Sequence, residues 1–360
     1  LGNLPLDWKD LLPSARPIFC FVNKAAFSRS ELPSELLITV SCLTKEFPNL
    51  LCSSFLFCSL IHYSRVLNRA GEILQETLQS HGGTGSYYSH DPVMVNVFVD
   101  QASARKFSEA SLSGALFDWM EDRRVDGINF EFDPDSFQGD LDAAKGAVAF
   151  FTSVRQDSRW GNLTLCAMLP YGATLLLKDD LRSLLDFVFV RTHGLLDEPA
   201  GRTQLAAPLN DAGLVHRGSN VKTVMSLLEE LEFGLNKRTC FTISLSGIGF
   251  TLQSPLLHGV GDPIKSEPLK RISFSETCDQ RAGRTKTVED DAAYSSQGDL
   301  WVTHEDQFTV FEKIAKVLRH WHFLCVGVVD VDLDDVRGSC GRVYPLLRRV
   351  YETSYILKYY

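Results

Sequence analysis

Short runs rich in β-branched and aromatic residues alternate with longer amphipathic stretches along almost the whole chain. The strand-like runs are Pro17–Val22, Leu51–Ile61, Met94–Asp100, Val125–Phe132, Leu163–Pro170, Phe187–His193, Thr239–Ser246 and Cys325–Asp332. Helical patterns lie between them, among them Leu112–Asp122, Leu141–Arg155 and Val221–Glu232. Eight strand–helix alternations predict parallel pairing, and eight such units predict a closed (β/α)8 TIM barrel. A doubly wound open sheet has the same periodicity, but no Gly-x-Gly-x-x-Gly turn follows the first strand. The 360 residues accommodate one barrel of ~250 residues with insertions. Thr251–His304 breaks the rhythm with Gly, Pro, Ser and mixed strand signals. It is expected to be an insertion subdomain between strands 7 and 8 of a single domain spanning 1–360. There are no internal repeats and no low-complexity tracts.

Charge and cysteine content narrow the function classes. Net charge is −9, and Lys and Arg are scattered, so no nucleic-acid footprint is expected. The longest nearly apolar run, Leu50–Ile61, is too short to span a bilayer and contains Ser and Cys, so no membrane span is expected. The chain begins at Leu1 with neither Met nor a hydrophobic leader, which fits either a mature chain freed of its signal peptide or a boundary cut from a longer sequence. Nine cysteines point to an oxidising compartment, and Asn162-Leu-Thr164 is a glycosylation sequon that fits secretion. An odd count leaves at least one cysteine unpaired or bonded to another chain.

Residues Val125-Asp-Gly-Ile-Asn-Phe-Glu-Phe-Asp-Pro134 carry the strongest functional signal. Side chains alternate along a strand, so Asn129, Glu131 and Asp133 share one face and lead towards the C-terminal mouth. A purely structural barrel strand would carry branched apolar residues there. The run resembles the Asp-Gly-x-Asp-x-Asp-x-Glu strand of glycoside hydrolase family 18, the chitinases and their relatives. Asp126 and Gly127 match, whereas Asn129, Glu131 and Asp133 stand where that family has Asp, Asp and its acid Glu.

Further matches follow in the family's order. Cys20-Phe-Val-Asn23 with Phe27 resembles the first strand and loop, and Leu51-Cys52 opens the second strand. Phe250-Thr-Leu252, Ser275-Glu276-Thr277-Cys278 and Trp301-Val302 with Glu305-Asp306 resemble segments after strand 7 and in the insertion. Asp332-Leu-Asp-Asp335, Cys340 and Tyr344-Pro-Leu-Leu347 resemble the last strand and closing helix. The resemblance implies disulfides Cys20–Cys52 and Cys278–Cys340, each stabilising by ~3–4 kcal/mol for loops of such lengths. It assigns no partner to Cys42, Cys58, Cys166, Cys240 or Cys325. Cys166, Cys240 and Cys325 fall inside predicted strands and read as free, buried small hydrophobes.

The chemistry implied by the resemblance is substrate-assisted hydrolysis of β-1,4-linked N-acetylglucosamine. A Glu protonates the glycosidic oxygen, the substrate's acetamide attacks the anomeric carbon, and an Asp and a Tyr stabilise the cyclised intermediate. Asp133, at the acid's position, is one methylene, ~1.5 Å, short, and a misplacement of ~1 Å can cost ~100-fold. Glu131 is one methylene too long for the stabiliser's place, and Asn129 cannot ionise to complete the relay. After strand 6 the family has Met-x-Tyr-Asp where this chain has Arg191-Thr-His193-Gly194, so the Tyr becomes His193 and the Asp is gone. The Arg after strand 7 becomes Ile248.

The sugar platforms are replaced as well. The Trp after strand 1 corresponds to Lys24, the Trp floor on strand 8 to Val329, and the Gly-Gly-Trp after strand 3 to the region of Asp100-Gln101. Trp160, Trp301 and Trp321 read as scaffold. Asp330, Asp332, Asp334 and Asp335 invite a calcium reading, but a loop starting at Asp330 lacks the Gly and Glu an EF-hand needs. No Gly-x-Ser-x-Gly, His-Glu-x-x-His or Cys-x-x-Cys occurs. The expectation is a secreted, chitinase-like glycoprotein with no intact catalytic set, no cofactor and no metal, acting by binding a glycan or a protein. Degenerate positions are Asp126, Asn129, Glu131, Asp133 and His193, and former sugar-site positions are Lys24, Asp133, His193 and Val329. The alternative is a weak chitinase using Asp133 as acid.

Overall fold

The structure is a computed structural model. It describes residues 18–21, 37–41, 56–59, 62–64, 94–99, 104–108, 112–122, 127–133, 136–137, 140–170, 172–173, 181–196, 201–210, 220–230, 239–265, 269–278, 285–289, 291–320, 325–335, 337–342 and 344–356. Lys24, Cys42, Cys52, Asp126 and Trp321 lie outside them.

Ten strands form one sheet: β1 (Ile18–Phe21), β2 (Leu37–Ser41), β3 (Leu56–Ser59), β4 (His62–Ser64), β5 (Met94–Val99), β6 (Gly127–Phe132), β7 (Thr164–Pro170), β8 (Phe187–Arg191), β9 (Thr239–Ser244) and, after an interruption, β15 (Cys325–Val329). The interruption carries β10 (Gly247–Thr251), β11 (Lys270–Ile272), β12 (Thr285–Glu289), β13 (Ala292–Gln297) and β14 (Leu300–His304), a five-stranded antiparallel sheet in the order β11-β10-β14-β13-β12. The principal helices are α1 (Leu112–Asp122), α2 (Leu141–Gln156), α3 (Val221–Glu230), α4 (Gln307–His320) and α5 (Pro345–Ile356).

The large sheet runs β3-β1-β15-β9-β8-β7-β6-β5-β2-β4, and the pairs from β3 to β5 are parallel. The last strand of the series, β15, therefore lies beside the first, as a curled α/β sheet requires. All eight expected strands are present within a few residues of their expected bounds. Between β3 and β5 the sequence-based expectation of continuous closure differs from the described ladder. There β2 pairs antiparallel with β5, and β4 with β2, so this edge of β5 is occupied by a ribbon. The ribbon strands span five and three residues, too short to show a period.

The outer face of the sheet is fixed by phenylalanines. Phe130 lies 5.5 Å from Phe107, 5.5 Å from Phe150 and 5.4 Å from Phe151 between ring centroids, the last two on α2. Helix α2 buries Ala143, Ala144, Ala147, Phe150, Phe151 and Val154, spaced three and four apart as an amphipathic helix needs. Its start is capped by Asp140, which accepts from Ala143 N at 2.9 Å, while Asp142 and Arg155 complement its dipole. Because Phe130 faces out, Asn129 and Glu131 face in.

Residues in register share a face, so the inner wall continues through Cys166 and Met168 of β7, Phe189 and Arg191 of β8, Thr242 and Ser244 of β9, and Gly327 and Val329 of β15. Gly327 is required there: a Cβ would come 2.9 Å from Phe189 Cδ1 and 3.0 Å from Thr242 Cγ2. Cys240 and Cys325, partners in this register, form a disulfide, which corrects the expectation that both are free thiols. They stand 85 residues apart in sequence, and only the pairing of β9 with β15 brings them together. Cys278–Cys340 is also disulfide-bonded, and Cys166 is a free, buried thiol.

Asp334 joins the end of the sheet to α5. It accepts from Leu347 N at 3.0 Å in the first turn and from Asp335 N at 2.8 Å. Burial outweighs these bonds and pushes its carboxyl from 3.8 up to about 6. A raised carboxyl stabilises the fold fully below its unfolded value, and that contribution is lost as pH rises through about 6. Denaturant unfolding of wild type against Asp334→Asn is expected to show a relative gain for wild type of about 3 kcal/mol between pH 7.5 and pH 3.5. A pH-independent difference would contradict the assignment. Replacing Cys240 and Cys325 together by Ala is expected to cost about 4 kcal/mol or more in the same assay.

Candidate functional site

Strand β6 and its neighbour β5 build a polar chain across the inner wall. Asn96 stands in register with Asn129 and is, like it, buried. Asn129 Nδ2 donates to Asn96 Oδ1 at 2.6 Å, and Asn96 Nδ2 donates to Glu131 Oε2 at 2.7 Å. The orientation follows from chemistry: a carboxylate only accepts, so Asn96 must turn its NH2 to Glu131 and its oxygen to Asn129. Asn129 is thereby forced to donate, and its Oδ1 has no hydrogen-bond partner among the described residues. Asp133, half-buried, follows where the chain leaves the strand, its N–H bonded to Val99 O at 3.0 Å.

A second polar group gathers at the C-terminal ends of β8, β9 and β15, where ligands of such sheets bind. A half-open cavity lies there beneath β10, β11, β13 and β14, with Arg191, His193, Ser246, Arg271, Glu305 and Asp330 on its walls. Of the expected positions, the cavity receives His193; Asn129, Glu131, Asp133 and Val329 are not on its lining. Val329 is buried at the end of β15, its carbonyl accepting from Leu245 N at 2.9 Å.

His193 is buried, and its Nδ1 lies 2.7 Å from Thr242 Oγ1. That hydroxyl accepts from Thr192 N at 3.0 Å and donates to Val190 O at 3.3 Å, which assigns the imidazole proton to Nδ1. Burial first, then the charges of Arg191 and Arg271, hold His193 well below its usual 6.5, so the ring is neutral near pH 7.

Asp330 is the anchor of this cavity. It sits in the left-handed region at φ 58, accepts from Ser244 Oγ at 2.8 Å and Ser246 Oγ at 2.7 Å, and pairs with Arg271. Arg271 is the cross-strand partner of Ile248, so the guanidinium absent at position 248 is supplied by the neighbouring strand. Glu305 is buried against Lys313 and accepts from Thr309 Oγ1 at 2.7 Å, with burial pushing its carboxyl up. The acids near the end of β15 thus serve structural bonds: Asp330 holds two serines and an arginine, Asp334 caps α5, and Asp335 accepts from Cys340 N and from Ser339 Oγ.

Sequence reasoning missed Asn96, Arg271 and the role of Arg191. The first two are visible only through register. Trp160 and Trp301 are fully buried, as scaffold residues are, with Trp301 Nε1 donating to His258 O at 3.1 Å. Asn162 is exposed at the end of the 3-10 turn Ser158–Asn162.

The amide chain makes a specific demand of position 129. Asn129→Asp would set a carboxylate oxygen against Asn96 Oδ1, with the amide's NH2 already committed to Glu131. Such a variant is expected to lose about 1–3 kcal/mol at pH 7.5 and to recover most of it by pH 4 as the new carboxyl takes up a proton. Unfolding at the two pH values measures this; equal stability to wild type at pH 7.5 would refute the chain's orientation.

No protein-family model matches the sequence, and no curated protein matches it. Solved structures do. The group IV chitinase of Ostrinia furnacalis superposes with a TM-score of 0.65 at 13% identity, covering 80% of this chain and 84% of that one. YKL-39, solved in the presence of chitooligosaccharides, gives 0.63 at 17% identity over 82% and 87%. The immunomodulatory active chitinase TsES1 of Trichuris suis gives 0.59 at 18% over 71% and 77%. The fold of this chain is that of the family 18 chitinases and chitinase-like proteins.

Proposed function

We propose that the chain is a secreted chitinase-like protein of glycoside hydrolase family 18 that binds without cleaving. Its partner is a glycan of the N-acetylglucosamine type or a protein. One closed barrel domain over 1–360, with the insertion at 251–304, would carry the site, and Asn162 would carry a glycan. The observation behind this reading is the Asn129–Asn96–Glu131 chain. Where the resembled family places ionisable groups that relay charge along the strand, this strand has an amide hydrogen-bonded to another amide. Neither amide can exchange a proton with a substrate near neutral pH. His193 is neutral and hydrogen-bonded to Thr242, where the family has a stabilising Tyr.

Glycan binding draws support from neighbours solved with sugars, YKL-39 with chitooligosaccharides and the Cycas revoluta chitinase with (GlcNAc)3. Two disulfides fit an oxidising compartment. No helix among the described residues is long and apolar enough to cross a membrane.

A second reading, weak hydrolysis, draws on Asp133, a half-buried acid at the family's acid position. A fluorogenic N-acetylglucosamine oligomer separates the two. Wild type and Asp133→Ala are both expected to show no turnover above the uncatalysed rate. Turnover by wild type that disappears in Asp133→Ala would overturn the binding reading and make Asp133 a working acid, at ~100-fold or greater cost for its short reach.

A further inference from the structure

We propose that the cavity at the ends of β8, β9 and β15 binds a carboxylate-bearing sugar, a uronic acid or a related acidic residue, with Arg191 holding the carboxylate. The inference rests on the glycan-binding reading and names the chemistry of the glycan.

Four acidic or basic side chains other than histidine stand on the cavity wall: Arg191, Arg271, Glu305 and Asp330. Three are matched within the protein. Asp330 is paired with Arg271 and takes two serine hydroxyls, and Glu305 is paired with the buried Lys313 behind the wall. Arg191 is half-buried and forms no ion pair or side-chain hydrogen bond among the described residues. A guanidinium withdrawn from water without a partner is costly, and its planar fork of donors fits a carboxylate.

The reason Arg191 lacks a partner is three residues away. Gly194, at φ +61, has no side chain, and a Cβ built on it would lie 3.8 Å from an Arg191 terminal nitrogen. Position 194 is the one where the resembled family carries an Asp. A carboxylate there would meet the guanidinium; glycine leaves that place to a ligand.

The rest of the wall suits a sugar rather than a bare anion. His193 keeps its proton on Nδ1 for Thr242, so Nε2, which has no protein partner among the described residues, is left to accept from a ligand hydroxyl. Thr303 Oγ1 accepts from Ala206 N at 3.0 Å and keeps its own proton to donate. Ala206, Ala292 and Ile248 supply small apolar surface for a ring face. One uncommitted positive charge beside two carboxylates favours a singly charged ligand over a phosphate dianion.

The test titrates the full chain with D-glucuronate, D-glucose, acetate and N-acetylglucosamine trimer, following protein resonances at low salt. Glucuronate is expected to bind about 10-fold or more tightly than glucose, as a charge-assisted hydrogen bond gives, and more tightly than acetate. Arg191→Met is expected to bring glucuronate and glucose within about two-fold of each other, with Arg191→Lys keeping part of the preference. Gly194→Asp, which supplies an internal carboxylate, is expected to weaken glucuronate without weakening glucose. Equal binding of glucuronate and glucose by wild type, or a preference that survives Arg191→Met, would overturn the proposal. So would acetate binding as tightly as glucuronate, since no sugar would then be recognised. If the trimer binds while glucuronate shows no advantage, this inference fails and the glycan-binding reading stands; if no sugar binds, both fail.

Discussion

The parallel register of β5, β6 and β7 decides which side chains meet inside the sheet. It is pinned from the outside. Phe130 and Phe132 are buried against Phe107, Phe137, Phe150 and Phe151, and each ring contributes roughly 1.5–3 kcal/mol of burial. A slip of one residue would turn those rings inward and drive Asn129 and Glu131 into the apolar layer beneath α2. The cost of that slip is several times that of the hydrogen bonds the inner face makes. The polar chain of the interior is therefore positioned by apolar contacts on the opposite face, and its own bonding is a consequence.

That separation of roles explains how the inner face can hold a polar set that is imperfectly satisfied. Asn129 Oδ1 is a buried acceptor without a donor among the described residues, a defect worth roughly 1–3 kcal/mol. It arises because Asn96 serves two neighbours with a fixed donor–acceptor polarity, and Glu131 dictates which way it points. A sequence optimised for stability alone would place Val or Ile at such positions. The outer phenylalanines fix the strand strongly enough for the inner wall to tolerate the amide chain.

Much of the fold was legible in the sequence because the relevant signals are local. The apolar and β-branched runs marked the eight parallel strands, and the spacing of Ala143, Ala147, Phe150 and Val154 marked α2. Strands β2 and β4 were missed because five and three residues carry no usable period. The Cys240–Cys325 disulfide was missed because its two halves meet only once β9 and β15 are adjacent. At the site, His193 was legible from its motif, and Arg191 and Gly194 stood in the same four residues. What could not be read was that the glycine leaves the arginine unmatched among the described residues, since that depends on where their carboxylates lie in the fold. Arg271 was hidden for a related reason: position 248 carries Ile, and only the β10–β11 ladder shows that an arginine lies directly across from it.

The antiparallel sheet acts as a roof over the strand ends, and Asp330 ties the two together. At the near edge, Gly247 permits β10 to approach β14 closely, since a Cβ there would come 2.8 Å from Val302 Cγ1. At the far edge, Cys278–Cys340 bonds the segment after β11 to the loop before α5. Between them, Asp330 takes a left-handed backbone, which costs roughly 1–2 kcal/mol for a residue with a side chain. Two serine hydroxyls from the β9 end and the Arg271 guanidinium from the roof offset that cost. The same contacts consume the charge of Asp330 and Arg271, so the pair holds the cavity's shape but leaves its net electrostatic character to Arg191. Shape and charge selectivity are thus carried by different residues, and Arg191 could be replaced in this fold without disturbing the bonds that join roof and sheet.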